Sequence, residues 1–203
     1  MNKVARIISI IFHPLFMPLV GFYIIFNCGI FEVDIPADVL HYTYLLVILF
    51  SIFLPVSIIP FLLYYQLAQD IEINKRKERF APVFFSSLSL LILFIVLNRK
   101  VPISLVQAFA MAVACNSILI LFINILFKIS MHLVALGGIT GLIAFLTIHY
   151  SADLFFWLSI LIFVTGIVAT SRLYLQAHKI YEIISGYLIG FITTYICIFL
   201  VVK

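Results

Sequence analysis

The polar stretch that decides how the end of this chain folds is SRLYLQAHKIYE, at positions 171–182. It lies between two long apolar runs. If the stretch is helical, Ser171, His178 and Glu182 share one face, because seven and eleven residues are close to whole numbers of helical turns. His178 and Glu182 are four residues apart and can touch, and Arg172 lies about a quarter turn away. The pattern predicts a histidine oriented by a carboxylate, beside an arginine suited to phosphate.

The same polar residues have a simpler interpretation. Polar and basic side chains at the end of a membrane helix often do no more than extend into the lipid headgroup layer. The functional interpretation therefore depends on whether other polar clusters of the chain meet this stretch.

The composition is that of an integral membrane protein. Of the 203 residues, 66% are hydrophobic and 10% are charged, and the mean hydropathy is +1.30. A soluble domain has about a quarter of charged residues. The apolar runs are long enough for spanning helices rather than barrel strands. We therefore predict one all-α domain over residues 1–203, a polytopic membrane helix bundle of six or seven transmembrane helices. The number is six if the first run inserts only half way.

The prolines, the histidine and the cysteines that stand alone in the apolar runs do not predict a functional site. Prolines in the first run predict a kink, and His13 beside them is interpreted as a packing or interfacial histidine. The three cysteines are isolated in the sequence, so they predict neither a metal site nor a disulfide framework. The basic residues are few and adjoin apolar runs, which gives no indication of nucleic-acid binding.

Three polar clusters are predicted to lie on one side of the membrane. They are the charged loop at 70–82, the cluster Lys128–His132 and the stretch at 171–182. Two predicted spans separate each cluster from the next, and two crossings return the chain to the side it left. Most basic residues of the chain lie on this side, so the positive-inside rule places it in the cytoplasm.

The last cluster carries a resemblance to a known family. Ser171-Arg172, five residues, His178, three residues and Glu182 resemble the third motif of the type 2 phosphatidic acid phosphatase superfamily. That motif reads Ser-Arg, five residues, His, three residues and Asp. Here Glu182 keeps the carboxylate on a longer side chain.

The other two clusters are similar to the remaining motifs of that superfamily, in the same order. Ser130–His132 resembles the second motif, Pro-Ser-Gly-His, although isoleucine and methionine stand at positions 129 and 131 in place of proline and glycine. The charged loop stands where the first motif has a lysine followed by Arg-Pro. Its matching residues are Arg79 and either Lys75 or Lys77. The resemblance implies a phosphatase-like core at about 70–200.

The resemblance implies a membrane-embedded lipid phosphatase that forms a phosphohistidine. His178 would be the nucleophile, supported by Glu182, and His132 would protonate the leaving group and then activate water. The phosphate-binding residues would be Arg172, Arg79, Lys75, Lys77, Ser130 and Ser171.

The resemblance also implies a setting for this activity. No metal and no cofactor would be needed, and the substrate would be a lipid phosphate or an isoprenoid phosphate or pyrophosphate in the bilayer. The membrane would be a bacterial inner membrane, where many members of the superfamily work on the outer face. The charge distribution predicts the opposite face.

Two other functions stay open at the level of sequence. One is a non-catalytic membrane transporter or scaffold with the same fold and an altered second motif. The other is an enzyme that transfers prenyl groups from a diphosphate, for which Asp70 and the charged loop would form part of the site. That chemistry needs paired Asp-rich motifs that bind Mg²⁺, and only one acidic cluster adjoins the loop.

Overall fold

The computed structural model describes residues 2–30, 35–65 and 80–202 of the chain. Within these ranges the chain is helical and contains no β-strand. Seven spans of this described part are long and apolar enough to cross a membrane, so the predicted all-α membrane bundle is confirmed, with seven spans among the described residues. The spans are Lys3–Asn27, Ala37–Tyr64, Phe80–Lys100, Ser104–Leu126, Met131–Tyr150, Phe155–Tyr174 and Ile180–Val201.

Helices are the structure that such apolar runs adopt in lipid, because the backbone groups must bond within the segment where no water is available. The first span consists of α1 and α2, the second of α3 to α5, and each later span is one helix. The α-helices of the described residues are α1 (Asn2–Ile11), α2 (Met17–Asn27), α3 (Ala37–Ile48), α4 (Leu54–Ser57), α5 (Ile59–Tyr64), α6 (Phe80–Lys100), α7 (Ser104–Leu126), α8 (Met131–Tyr150), α9 (Phe155–Tyr174) and α10 (Ile180–Val201).

Prolines interrupt the first two spans, and the first of these breaks is the kink that the sequence predicts. In the first span, His13 has an extended backbone and is followed by a 3₁₀ turn, Pro14–Phe16. In the second, a π-helical turn, Leu49–Phe53, precedes Pro55. Proline has no N–H to donate and its ring crowds the preceding turn, which explains both interruptions. The break at His13 brings the ring of this residue next to that of His132.

Helices α8 and α10 form the centre of the bundle and touch through glycine. A Cβ atom at Gly137 would clash with the carbonyl oxygen of Tyr187, and one at Gly190 would clash with that of Val134. A Cβ at Gly141 would lie 2.6 Å from a carbonyl oxygen of α10. Only glycine permits this approach, so small residues give the two helices their close packing within the bundle.

The starts of α8 and α10 lie side by side at one end of the bundle. The Ser130 amide, just before α8, donates a hydrogen bond of 3.2 Å to the carbonyl oxygen of Glu182 in the first turn of α10. Helix α9 ends at the same place and is the most peripheral span, with only Val168 and Ser171 buried among its residues. The second and third polar clusters therefore meet, as predicted.

Candidate functional site

The stretch at 171–182 is not a single helix, which corrects the interpretation of its residues as one helical face. Helix α9 ends at Tyr174, and Gln176 adopts a left-handed conformation with φ of 51°. The Ala177 amide bonds to the Arg172 carbonyl oxygen, and the Gln176 amide bonds to that of Leu173. This pair of bonds is a Schellman motif, which closes a helix and satisfies its last carbonyl groups. The chain can then reverse direction and begin α10 at Ile180.

His178 and Glu182 nevertheless touch, across the start of α10 rather than along a helix face. Nδ1 of His178 lies 2.7 Å from Oε2 of Glu182, and both side chains are buried. The same Oε2 atom accepts the backbone N–H of Lys179, the N-cap residue, at 3.3 Å. A carboxylate in this position is favoured by the helix dipole and by the unpaired amides of the first turn.

The contact with Glu182 assigns the proton on His178. Because Oε2 already accepts the Lys179 amide as a carboxylate oxygen does, Nδ1 of His178 is the donor. The lone pair of the neutral ring is then on Nε2. This is the form that a nucleophilic histidine requires.

His132 is buried in the first turn of α8 and bonds to the first span. Its Nε2 atom lies 3.0 Å from the carbonyl oxygen of Ser9. A carbonyl oxygen only accepts, so Nε2 carries the proton and Nδ1 keeps the lone pair. His132 therefore offers a proton acceptor at Nδ1.

Arg172 and two serine hydroxyls complete the part of the site that the sequence predicted and the structure describes. Nη1 of Arg172 lies 3.4 Å from the Ser9 hydroxyl, and its charge acts on His132. The Ser171 hydroxyl donates to the Ile167 carbonyl oxygen at 2.9 Å, within its own helix. The Ser130 hydroxyl is fully buried and has no hydrogen-bond partner among the described residues.

His13 is the residue whose place the sequence did not predict. Its ring centroid lies 5.6 Å from that of His132, edge to face at 79°. The break at Pro14 brings it there, together with Ser9 of α1. Its position beside a proline inside an apolar run was the available signal, but that pattern also fits the packing role that the sequence suggested.

Lys75, Lys77 and Arg79, the predicted first-motif residues, lie outside the described residues. Within residues 2–30, 35–65 and 80–202, no group of three or more His, Cys, Asp or Glu side chains could hold a metal ion. The described residues bring together one guanidinium, three imidazoles, serine hydroxyls and the Glu182 carboxylate, which is already bonded to His178. The guanidinium is the group of this set that suits an anion.

Comparison with models of protein families, with curated proteins and with solved structures found no match to this chain.

Proposed function

We propose that this chain is a membrane lipid phosphatase that hydrolyses a lipid phosphate or pyrophosphate through a phosphohistidine on His178. The observation that carries the proposal is the bond of 2.7 Å between Nδ1 of His178 and Glu182, at the end of the bundle that also holds His132 and Arg172. A carboxylate in this place fixes the tautomer of the attacking imidazole and stabilises the cation that forms when it is phosphorylated.

In the first step, Nε2 of His178 attacks phosphorus. The N–P bond forms as the ester P–O bond breaks, and the leaving alcohol takes a proton from Nδ1 of His132, which has to enter this step as the imidazolium, with a proton added to the neutral ring described above. In the second step, His132 takes a proton from water, whose oxygen attacks phosphorus as the N–P bond breaks. Inorganic phosphate leaves, and both histidines return to their starting states.

Arg172 would hold the phosphate oxygens during both steps, because its planar group offers paired donors. The buried Ser130 hydroxyl adds a donor. Arg79, Lys75 and Lys77 are proposed to complete this binding from the charged loop, on the basis of the resemblance alone.

The substrate is proposed to be a lipid because the site adjoins surface that faces lipid. Arg172 is in the last turn of α9, and the next residues, Leu173 and Tyr174, expose apolar side chains. An acyl or prenyl chain could lie along this helix while the phosphate group meets Arg172. The bilayer and such a lipid are the partners that the proposal requires.

The test is phosphate release from a panel of lipid phosphates by the purified protein in nanodiscs, followed by acid and alkali quenching. A phosphohistidine is labile in acid and stable in alkali, so radiolabelled phosphate should stay on the protein only after the alkaline quench. Absence of phosphate release across the panel would reject the proposal and favour the transporter or scaffold alternative. Labelling that persists unchanged in His178→Ala would reject the assigned nucleophile.

A further inference from the structure

His13 takes no part in the mechanism described so far, although it contacts the same site. Its ring packs edge to face on His132, and the charge of Arg172 acts on both rings. The three phosphatase-like motifs lie in the later part of the chain, whereas His13 comes from the turn between α1 and α2. The first span therefore contributes a third imidazole to the site.

The hydrogen bonds assign different roles to the two touching rings. The Leu15 amide donates to Nδ1 of His13 at 3.3 Å, so that atom holds the lone pair and the neutral ring carries its proton on Nε2. The neutral ring of His132 also carries its proton on Nε2, but that proton is already bonded to the Ser9 carbonyl oxygen. The group that His132 has available is therefore the lone pair on Nδ1. Side by side, the rings offer one donor and one acceptor.

We propose that His13 is a further substrate-binding residue, which donates a hydrogen bond from Nε2–H to an oxygen of the bound phosphate group. The inference rests on the proposed function, since it concerns the same site. His13 is half-buried, whereas His132 and His178 are buried, so His13 is the imidazole that an incoming phosphate meets most readily. The positive charge of Arg172 also acts on His13, as expected if both side chains face the same anion.

A purely structural role for His13 can be separated from substrate binding by two substitutions. His13 caps the Pro14–Phe16 turn through Nδ1. Asparagine is a good capping residue and places an acceptor near that position, so His13→Asn keeps the cap and removes the Nε2 donor. Glutamine places an amide N–H near the Nε2 position, so His13→Gln keeps a donor to the phosphate.

The experiment measures kcat/KM on the most active lipid phosphate and calorimetric affinity for inorganic phosphate, both per mole of monodisperse protein. His13→Asn should lower both by roughly 10- to 100-fold, as expected for a lost hydrogen bond to an anion. His13→Gln should retain more of both than His13→Asn does. His149→Asn, at the opposite end of α8, is the matched control and should equal the wild type.

Each outcome decides between the alternatives. Wild-type values in His13→Asn, or equal losses in the Asn and Gln variants, would overturn the inference while leaving the proposed function intact. If the wild type releases no phosphate from any lipid, the proposed function fails, and phosphate affinity alone decides on His13. Weaker phosphate binding by His13→Asn would then support the contact, and unchanged binding, or no binding by the wild type, would overturn it.

Discussion

The buried imidazoles of His132 and His178 differ in which nitrogen is held by the protein. Glu182 holds Nδ1 of His178 at 2.7 Å, and the Ser9 carbonyl oxygen holds Nε2 of His132 at 3.0 Å. The reactive lone pair is thus on Nε2 in one ring and on Nδ1 in the other. Two identical side chains can then serve as nucleophile and as proton carrier, because their partners differ.

This division of roles predicts that His178→Ala and His132→Ala each abolish lipid phosphate hydrolysis. We expect a loss of at least about 10³-fold for His178, which removes the nucleophile, and about 10²- to 10⁴-fold for His132. Both variants should remain folded, as judged by size-exclusion chromatography and thermal unfolding. His41→Ala, on an exposed part of α3, is the control. Wild-type turnover by the double variant would contradict the mechanism.

The donors around the proposed phosphate position predict inhibition by vanadate without dependence on metal. Vanadate adopts the pentacoordinate geometry of phosphorus during transfer, so Arg172 and His178 should bind it in the site. Hydrolysis should continue in excess EDTA and fall with micromolar to millimolar vanadate. Activity that disappears in EDTA and returns with Mg²⁺ would instead support the prenyl-transferring alternative.

At the scale of the helices, the glycine contact between α8 and α10 holds the start of α8 against the start of α10. Gly190 lies against the Val134 backbone, and Gly186 lies against the carbonyl oxygen of Ser130. Separation of these helices would move His132 away from His178. Close packing in the bundle therefore positions the site as well as stabilising the fold.

Gly190→Ala should destabilise the protein, because its Cβ would clash with the backbone of Val134. We expect a loss of about 1–3 kcal/mol, the usual cost of overpacking. Gly166→Ala is the matched control, since a Cβ there would meet no atom within 4 Å, and it should be neutral or slightly stabilising. Unfolding followed in detergent would measure both. Equal stability of the two variants would show that the helices tolerate separation.

The sequence predicted the helices well because lipid leaves an apolar chain few alternatives. It did not predict the end of α9, since Gln176 carries no sequence signal for the left-handed conformation that glycine usually supplies. It also did not predict the place of His13. That contact joins residues 13 and 132, and it depends on how a proline break in one span orients the chain toward another.

At the scale of the whole molecule, basic residues are unevenly divided between the two ends of the bundle. Odd and even crossings of the seven spans assign each loop to an end. Among the described residues, the end with the site carries Lys3, Arg6, Lys128, Arg172 and Lys179. The described residues of the opposite end include Arg99 and Lys100, together with the acidic residues Asp38 and Asp153.

This asymmetry predicts that the site faces the cytoplasm. Basic residues near span ends are retained inside, whereas acidic residues contribute little to orientation. Some of the basic side chains have a second reason to be present, because Arg172 and the charged loop are proposed to bind phosphate. Lys3 and Arg6 have no such role, and they still favour the cytoplasmic side. The resemblance to the phosphatase superfamily favours the outer face, so the two lines of argument give opposite results.

Cysteines introduced at Lys179 and Asp153 can decide the orientation. Both residues are exposed, and they lie at opposite ends of the bundle. In a background that lacks Cys28, Cys115 and Cys197, a membrane-impermeant thiol reagent applied to intact cells should label Asp153→Cys and leave Lys179→Cys unlabelled until the cells are broken. The reverse pattern would place the site on the outer face. It would also mean that the basic residues at this end are there for the phosphate group rather than for insertion.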